Sequence, residues 1–304
     1  MSTVLSKGNT AVITGGAQGI GLAAGVFFAE HGMNVVLVDW KAEQLKSGVE
    51  TVKAVDGVGK VLGFDMDLSV IDNVESLRDQ VLKEFPEVHV VMSNHAIINW
   101  AKSFSTTFSL RELQAQWAEI MGINFNSVIM VAQAFAPSMS QQKSDSVIIT
   151  SGSKLGVDNR PGKPGYNSSK AAMKHYTEQR EFAHELRNTP GCRCTAHHFI
   201  PGWTWSGLTS ASNPGKINPL MWTARQTVEY MVDKIFVKRS FYAVCPDNEC
   251  SEARDRAEEA WTANDIIEKR PALSRWHPDY ADKFKAYLKA EEEAAAAQTK
   301  PVPN

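Results

Sequence analysis

A tyrosine and a lysine four residues apart, Tyr166 and Lys170, share one face of a helix. A free phenol titrates near about 10, too high for a base at neutral pH. A cation beside it favours the phenolate. At about 4 Å, with an effective dielectric of about 20, that attraction is worth roughly 4 kcal/mol, or about three pKa units. The pair can therefore give and take a proton near pH 7. Such pairs also occur on ordinary helix surfaces, so the elements that precede this one decide whether it does chemistry.

The first of them is a β-rich run from Asn9 to Thr14 that passes into Gly15-Gly16-Ala17-Gln18-Gly19-Ile20-Gly21. A helical pattern follows (Leu22, Val26, Phe27, Ala29), stopped by His31-Gly32. A strand, a glycine-rich turn and a helix let backbone N–H groups approach a pyrophosphate at the positive end of the helix. A second strand, Asn34 to Asp39, ends in an acid roughly twenty residues past the glycines, where a carboxylate can accept hydrogen bonds from an adenosine ribose. The same carboxylate repels a 2′-phosphate, and Gln18 adds no positive charge to attract one. Asp39 therefore favours NAD(H) over NADP(H), with Lys41 as the counter-signal. Trp40 is placed to lie against the adenine.

The alternation continues. Val61 to Phe64 is a third strand, and Ser69 is placed to cap the helix that runs to Phe85. Val88 to Ser93 is an almost wholly apolar fourth strand, as expected of a buried parallel one. Ser109-Leu110-Arg111-Glu112 is a capping box opening a long helix. Ser146 to Ser151 is a fifth strand, the Tyr166 helix ends near Pro190-Gly191, and Arg193 to Ile200 is a sixth strand. Repeated βα units specify an α/β fold, a doubly wound parallel sheet with helices on both faces.

Composition agrees. The chain has 304 residues, 43% hydrophobic, with a formal net charge of -2, an ordinary globular profile. No basic run suggests nucleic acid. The longest apolar stretch, near Val128 to Ala136, is interrupted by Gln133 and is short for a bilayer; the N-terminus lacks the apolar core of a signal peptide. Cys192, Cys194, Cys245 and Cys250 contain no Cys-x-x-Cys and read as reduced thiols of a cytoplasmic protein, with no metal site.

In this order the motifs resemble the short-chain dehydrogenase/reductase family of single-domain Rossmann enzymes, from about Lys7 to Pro246. Thr14-Gly15-x-x-x-Gly19-Ile20-Gly21 is similar to its cofactor turn, and Asp67-Leu68 to its adenine-contacting Asp-Val pair. Asn124 matches the asparagine of its proton relay, and Ser153, thirteen residues before Tyr166, its catalytic serine. Pro201-Gly202-Trp203-Thr204-Trp205-Ser206 is similar to the Pro-Gly-x-Val-x-Thr segment beside the nicotinamide, with Thr204 at the Val position and Ser206 at the Thr position. The resemblance implies an NAD(P)-dependent oxidoreductase that interconverts a secondary alcohol and a ketone, assembled as a homo-oligomer, a dimer or tetramer. In it Ser153 donates a hydrogen bond to the substrate oxygen and Tyr166 transfers the proton. Lys170 lowers the Tyr166 pKa and holds the ribose, and Asn124 positions a water that reconnects Lys170 to solvent.

The chain departs from the family in two places. The family's Asn-Asn-Ala-Gly aligns with Asn94-His95-Ala96-Ile97, keeping Asn94 but placing Ile97 where a glycine lets backbone approach the cofactor. His95 reads as a polar residue filling that turn. After the last strand, Asp-Gly-Gly is replaced by Pro246-Asp247-Asn248-Glu249.

Trp100, Trp203, Trp205 and Trp222 lie in or beside the segments that wall the pocket, which suits a bulky hydrophobic or aromatic substrate. Asn213-Pro214-Gly215 and Asn218-Pro219 break that wall into a loop that could act as a lid. Residues 1–250 form the catalytic domain. Residues 251–304 form a helical extension, with helices from Glu249 to Ile267 and Asp279 to Ala297 and a disordered tail. Two other readings use the same fold: a redox-neutral lyase or cyclase, and a non-catalytic cofactor sensor.

Overall fold

The computed structural model describes residues 3–99, 101–179, 188–210 and 218–298. Trp100, the lid motif Asn213-Pro214-Gly215, the end of the Tyr166 helix before residue 188 and the chain beyond residue 298 lie outside the described residues.

Seven parallel strands form one sheet: β1 (Thr10–Thr14), β2 (Asn34–Asp39), β3 (Val61–Asp65), β4 (Val90–Ser93), β5 (Ser146–Ser151), β6 (Cys194–Ile200) and β7 (Tyr242–Val244). Their order is β3-β2-β1-β4-β5-β6-β7. The order reverses between β1 and β4, so a crevice opens there at the carboxyl ends of the strands, the usual ligand position in such sheets. Strands β1, β2 and β4 are run after run of buried apolar residues because both sheet faces are covered.

Helices α1 (Gly19–Glu30) and α2 (Ala42–Lys53) cover one face together with α7 (Ala224–Val232). There Phe28, Val35, Leu37, Met231 and Phe236 share one core. On the other face α3 (Ile71–Glu84) and α5 (Ser127–Gln141) bury Leu77, Val81, Val131 and Phe135 against Val12, Val36 and Ile148. Four further helices are α4 (Leu110–Met121), α6 (Pro164–Gln179), α8 (Glu252–Ile267) and α9 (Ala281–Gln298), and a single helical turn, Gly207–Ser210, follows β6.

Helices α4 and α5 are one continuous rod, Leu110–Gln141, joined by a π-helical turn, Gly122–Asn126. The rod is long and apolar enough to cross a membrane by length and composition alone. Its α5 half is instead a core helix of this domain, with Val131 and Phe135 fully buried. The capping box forms as expected, Ser109 accepting from Glu112 N–H while the Glu112 carboxylate accepts from Ser109 N–H.

Two expectations are corrected. Ser69 does not cap α3, whose cap position is Val70 with no side-chain bond. The helix begins at Ile71, so Ser69 stands one position before the cap; its hydroxyl donates to Asp67 Oδ1 at 2.7 Å. Strand β4 begins at Val90, although His89 N–H still bonds the Thr10 carbonyl at 2.8 Å.

Candidate active site

A candidate cofactor cradle is built by the ends of β1, β2 and β4. Gly15 turns with φ +65°, and a Cβ there would lie 2.9 Å from His95 Cα. A Cβ on Gly21 would lie 2.1 Å from the Gly15 carbonyl oxygen, so any side chain would break the turn. Gly19, also in the left-handed region, lies under Ser206, and Gln18 lies against Gly207. The Gly15–Gly21 turn thus faces the segment that follows Pro201-Gly202. Ile20, partly buried, packs on the core beneath.

Asp39 ends β2 with both carboxylate oxygens tethered. Oδ2 accepts from Ala17 N–H in the glycine turn and Oδ1 from Lys41 N–H, each at 3.2 Å. Trp40 is 63% exposed, and the Lys41 ammonium lies 5.7 Å from its ring centroid. Asp67 sits past the end of β3, its Oδ1 taken up by Ser69, and Leu68 is buried in the core. Asn94 N–H donates to Thr14 Oγ1 at 3.0 Å, and its Oδ1 accepts from the Ser151 hydroxyl at 3.1 Å.

His95 fills its turn as a bridge. Nδ1 is 2.7 Å from Thr14 Oγ1 and Nε2 is 2.7 Å from Ser127 Oγ. Ser127 donates its own proton to the Ile123 carbonyl, so His95 Nε2–H is the donor there and Nδ1 accepts from Thr14. Burial first, and then the charge of Lys170, lower the His95 pKa to about 3. The ring stays neutral. Thr14 enters the sequence reading only as the first residue of the glycine motif and Ser127 not at all, since nothing in their spacing marks a shared partner.

Ser153, Tyr166 and Lys170 converge beside the cradle. Ser153 lies beside the Tyr166 phenol and opposes the effect of burial on it; its Oγ accepts from Leu155 N–H at 3.2 Å. Tyr166 and Lys170 are both buried, and Lys170 Nζ donates to the Ser151 carbonyl at 2.8 Å. Asn124 is buried in the π turn. Its amide pairs with the Ile97 backbone in both directions, at 2.8 and 2.9 Å, and donates to Ser169 Oγ at 3.2 Å. The side chain therefore binds across to Ile97 rather than back into its own helix. It holds the segment where Ile97 replaces the family glycine.

The electrostatics correct the simple pair argument. Burial raises the Tyr166 pKa above its ordinary value, with the Ser153 hydrogen bond opposing. Burial also lowers Lys170, to about 8. Both groups are desolvated here, and that cost outweighs the attraction between two charges at a fixed distance. In addition, the Lys170 ammonium is 5.8 Å from the Tyr166 ring centroid, directed to a carbonyl.

Of the tryptophans, Trp203 and Trp205 are half-buried in the segment after Pro201-Gly202. That segment is tied down by Thr204 Oγ1, 2.9 Å from Thr227 Oγ1, and by backbone bonds from Trp222 N–H to Trp203 and from Trp205 N–H to Trp222, each 2.9 Å. Trp222 packs on the sheet core with its ring edge-on to Tyr230 at 5.8 Å, which makes it a packing residue. Among the described residues no group of His, Cys, Asp and Glu could hold a metal ion.

The family model for short chain dehydrogenases matches residues 9–216. The chain belongs to the short-chain dehydrogenase/reductase family. The chain is 29% identical over 168 residues to a 3-oxoacyl-[acyl-carrier-protein] reductase of Thermotoga maritima, covering 55% of this chain and 64% of that one. It spans just under two thirds of that relative's length. It is 28% identical over 221 residues to a 3alpha-hydroxysteroid dehydrogenase of Mediterraneibacter gnavus, covering 72% of this chain and 83% of that one. Its structure is similar to that of a short-chain dehydrogenase/reductase from Burkholderia phymatum in complex with NAD, with TM-score 0.73 and 25% identity over 87% of this chain and 96% of that one.

Proposed function

We propose that the protein is an NAD(H)-dependent oxidoreductase that interconverts a bulky hydrophobic secondary alcohol and its ketone. The observation that carries this reading is the convergence of Ser153 with the buried Tyr166 and, one helical turn away, the buried Lys170, beside a glycine turn that admits no side chain. Such a turn fits a pyrophosphate, and Gly15, Gln18, Gly19, Ile20, Asp39, Asp67 and Asn94 would hold the dinucleotide, with Pro201, Gly202, Thr204 and Ser206 opposite. The nicotinamide supplies or removes the hydride.

The chain's own groups handle the oxygen and its proton. In reduction, charge grows on the carbonyl oxygen. Ser153 donates a hydrogen bond to it, and Tyr166 delivers its phenolic proton. A phenol raised by burial is protonated at neutral pH, which suits that direction. Oxidation needs the phenolate, so its rate rises with pH. Asn124 positions the water through which Lys170 exchanges protons with solvent.

For the substrate, Tyr166 lies in an apolar cluster with Ala101 and Ile120, against which Ile97, Ile98, Trp117, Met121 and Leu155 pack. Such a lining favours a bulky apolar body over a charged one. The steroid-oxidising relative from Mediterraneibacter gnavus supports a substrate of that kind. Lys216 is the one basic residue in 203–222, which weighs against a carrier-bound substrate like that of the Thermotoga maritima relative. The four cysteines are free thiols, in keeping with a reducing, cytoplasmic compartment. Phe104 and Leu110 are largely exposed at the entry to α4 and offer apolar area for assembly into a dimer or tetramer.

The test is titration of NADH and NADPH into wild type and Asp39→Ala, with turnover of wild type and Tyr166→Phe on a panel of bulky alcohols and ketones. NADH is expected to bind more tightly, and the preference to relax in Asp39→Ala. Tyr166→Phe is expected to lose at least about a hundredfold in kcat. Equal or tighter NADPH binding by wild type would overturn the assignment of Asp39. Full turnover by Tyr166→Phe would overturn the assignment of the acid.

A further inference from the structure

The turn that carries Ser153 is held from outside the sheet. Strand β5 ends at Ser151, and Ser153 opens a short turn, Lys154–Gly156. Lys154, the next residue, enters a buried charge cluster, with Nζ 2.7 Å from Asp255 Oδ1 on α8 and 3.2 Å from Asp247 Oδ2. The lysine side chain is 16% exposed and the two carboxylates 7% and 5%. Asp247 Oδ2 also accepts from Trp203 N–H at 2.8 Å. One carboxylate therefore joins the serine turn to the segment after Pro201-Gly202.

A second node lies four residues on. Asp158 is buried, and Arg275, from the strap between α8 and α9, lies 3.5 Å from its Oδ2. Arg275 also grips Glu258 of α8 with both terminal nitrogens, at 2.8 and 2.7 Å, and Arg254 Nε donates to the same Glu258 at 2.9 Å. The strap is fixed in turn by Ser274, whose hydroxyl donates to Asp265 and accepts from Trp261 Nε1–H at 2.7 Å.

Buried ion pairs are a weak means of adding stability, because desolvation offsets much of the attraction. Their directional, two-pronged geometry instead fixes where the joined segments sit. Here the two nodes bracket the turn on either side of Leu155 and Gly156, immediately after Ser153. A donor to a reacting oxygen has to be placed within a fraction of an ångström, and an error of about 1 Å can cost about a hundredfold in rate.

We propose that the C-terminal segment from Asp247 through α9 is a positioning clamp for Ser153, with Lys154 and Asp158 as its two anchor points on the catalytic loop and Asp247, Asp255, Glu258 and Arg275 as the groups that hold them. The proposal rests on the reading of Ser153 as the donor to the substrate oxygen. Lys154 and Asp158 are positioning residues: they act through the loop and reach neither substrate nor cofactor.

The test uses the full-length chain with NADH bound. Amide hydrogen exchange is followed for residues 153–158 in wild type, Lys154→Met, Lys154→Arg and Arg275→Met, together with kcat and KM on the first ketone that wild type reduces. Lys154→Met and Arg275→Met are expected to speed exchange in that turn about tenfold while β5 stays protected. Their kcat is expected to fall about ten- to a hundredfold with the KM for NADH held within about twofold. Lys154→Arg, which keeps the charge, restores most of both. Unchanged exchange in the turn in both Met variants would overturn the clamp. So would loss of protection throughout β5, which would make Lys154 a general structural residue. Ser153→Ala in the same kinetic assay separates the two readings. If it turns over at the wild-type rate the role of Ser153 falls, while the exchange result still decides whether the clamp exists.

Discussion

The two sides of the crevice are built differently. On the side of β1, α1 and β2, position follows from apolar strands in register and from glycines that leave no room for a side chain; Thr10 to Thr14 pairs residue for residue with Asn34 to Val38. On the side of β5, β6 and α8, the loops are held by charges removed from water, in the group formed by Lys154, Asp247 and Asp255 and the group formed by Asp158, Glu258 and Arg275. The first side is fixed by excluded volume and tolerates changes of pH and salt. The second is fixed by directed contacts and depends on the protonation of its members. A binding surface shared with other dinucleotide enzymes can be built from the first kind alone. The Ser153 loop, which the proposed function requires to hold one hydroxyl in place, uses the second.

The contrast can be broken most sharply on the glycine side. Gly21→Val places a branched side chain where even a Cβ meets the Gly15 carbonyl at 2.1 Å. NADH affinity, read by fluorescence titration, is expected to fall at least about a hundredfold, because backbone cannot yield as a side-chain tip can. Wild-type affinity in that variant would mean that the turn is not the cradle.

On the charged side the expected effect falls on stability and leaves affinity almost unchanged. Asp255→Asn leaves Lys154 with Asp247 alone in a buried site. Breaking a buried pair costs about 3–5 kcal/mol, so the melting temperature should drop by several degrees while NADH affinity stays within about twofold. A large loss of affinity would show that the two sides are not independent.

The smallest effect concerns Glu259, beside the same cluster. Burial, and next the charge of Asp255, raise its pKa to about 7. Its folded pKa lies above the value of 4.5 for a free side chain, so between those values the folded chain binds more protons than the unfolded one. Stability therefore falls as pH rises from about 4.5 through 7. Glu259→Gln is expected to be neutral near pH 4 and to stabilise the protein by roughly 1–3 kcal/mol at pH 8, measured by denaturant unfolding. Equal stabilisation at both pH values would remove Glu259 as the titrating group.

The same division governs what could be read from the residues beforehand. The strand from Asn34 to Asp39, the glycine turn and the capping box at Ser109 are local patterns, and each appears where its spacing places it. The register of Ser153, Tyr166 and Lys170 was legible because each lies at a strand end or on one helix. Ser69 misled because the helix begins one residue later than the spacing suggests, which puts Val70 at the cap. The proton affinity of Tyr166 misled because burial cannot be read from two residues on a helix. Trp222 pointed to the pocket by position, yet its ring turns to Tyr230. Lys154 and Asp247 stand 93 residues apart, with nothing local in either to name the other. The helices of the extension were legible from their own periodicity, but their attachment to the Ser153 turn was not.

The π turn at Gly122–Asn126 carries one more residue per turn than the helices it joins, and each residue of an α-helix advances the chain by about 100°. Shortening this stretch by one residue would leave a locally regular helix and relieve a costly hydrogen-bonding pattern. It would also swing the α4 half around its axis by about that angle, carrying Trp117 and Ile120 off the Tyr166 cluster and taking Asn124 out of reach of Ile97. The extra residue thus acts as a phase shifter. It lets a single rod lay one stripe against the sheet and a differently oriented stripe around the phenol, so single-residue indels here should be far more damaging than substitutions of similar size.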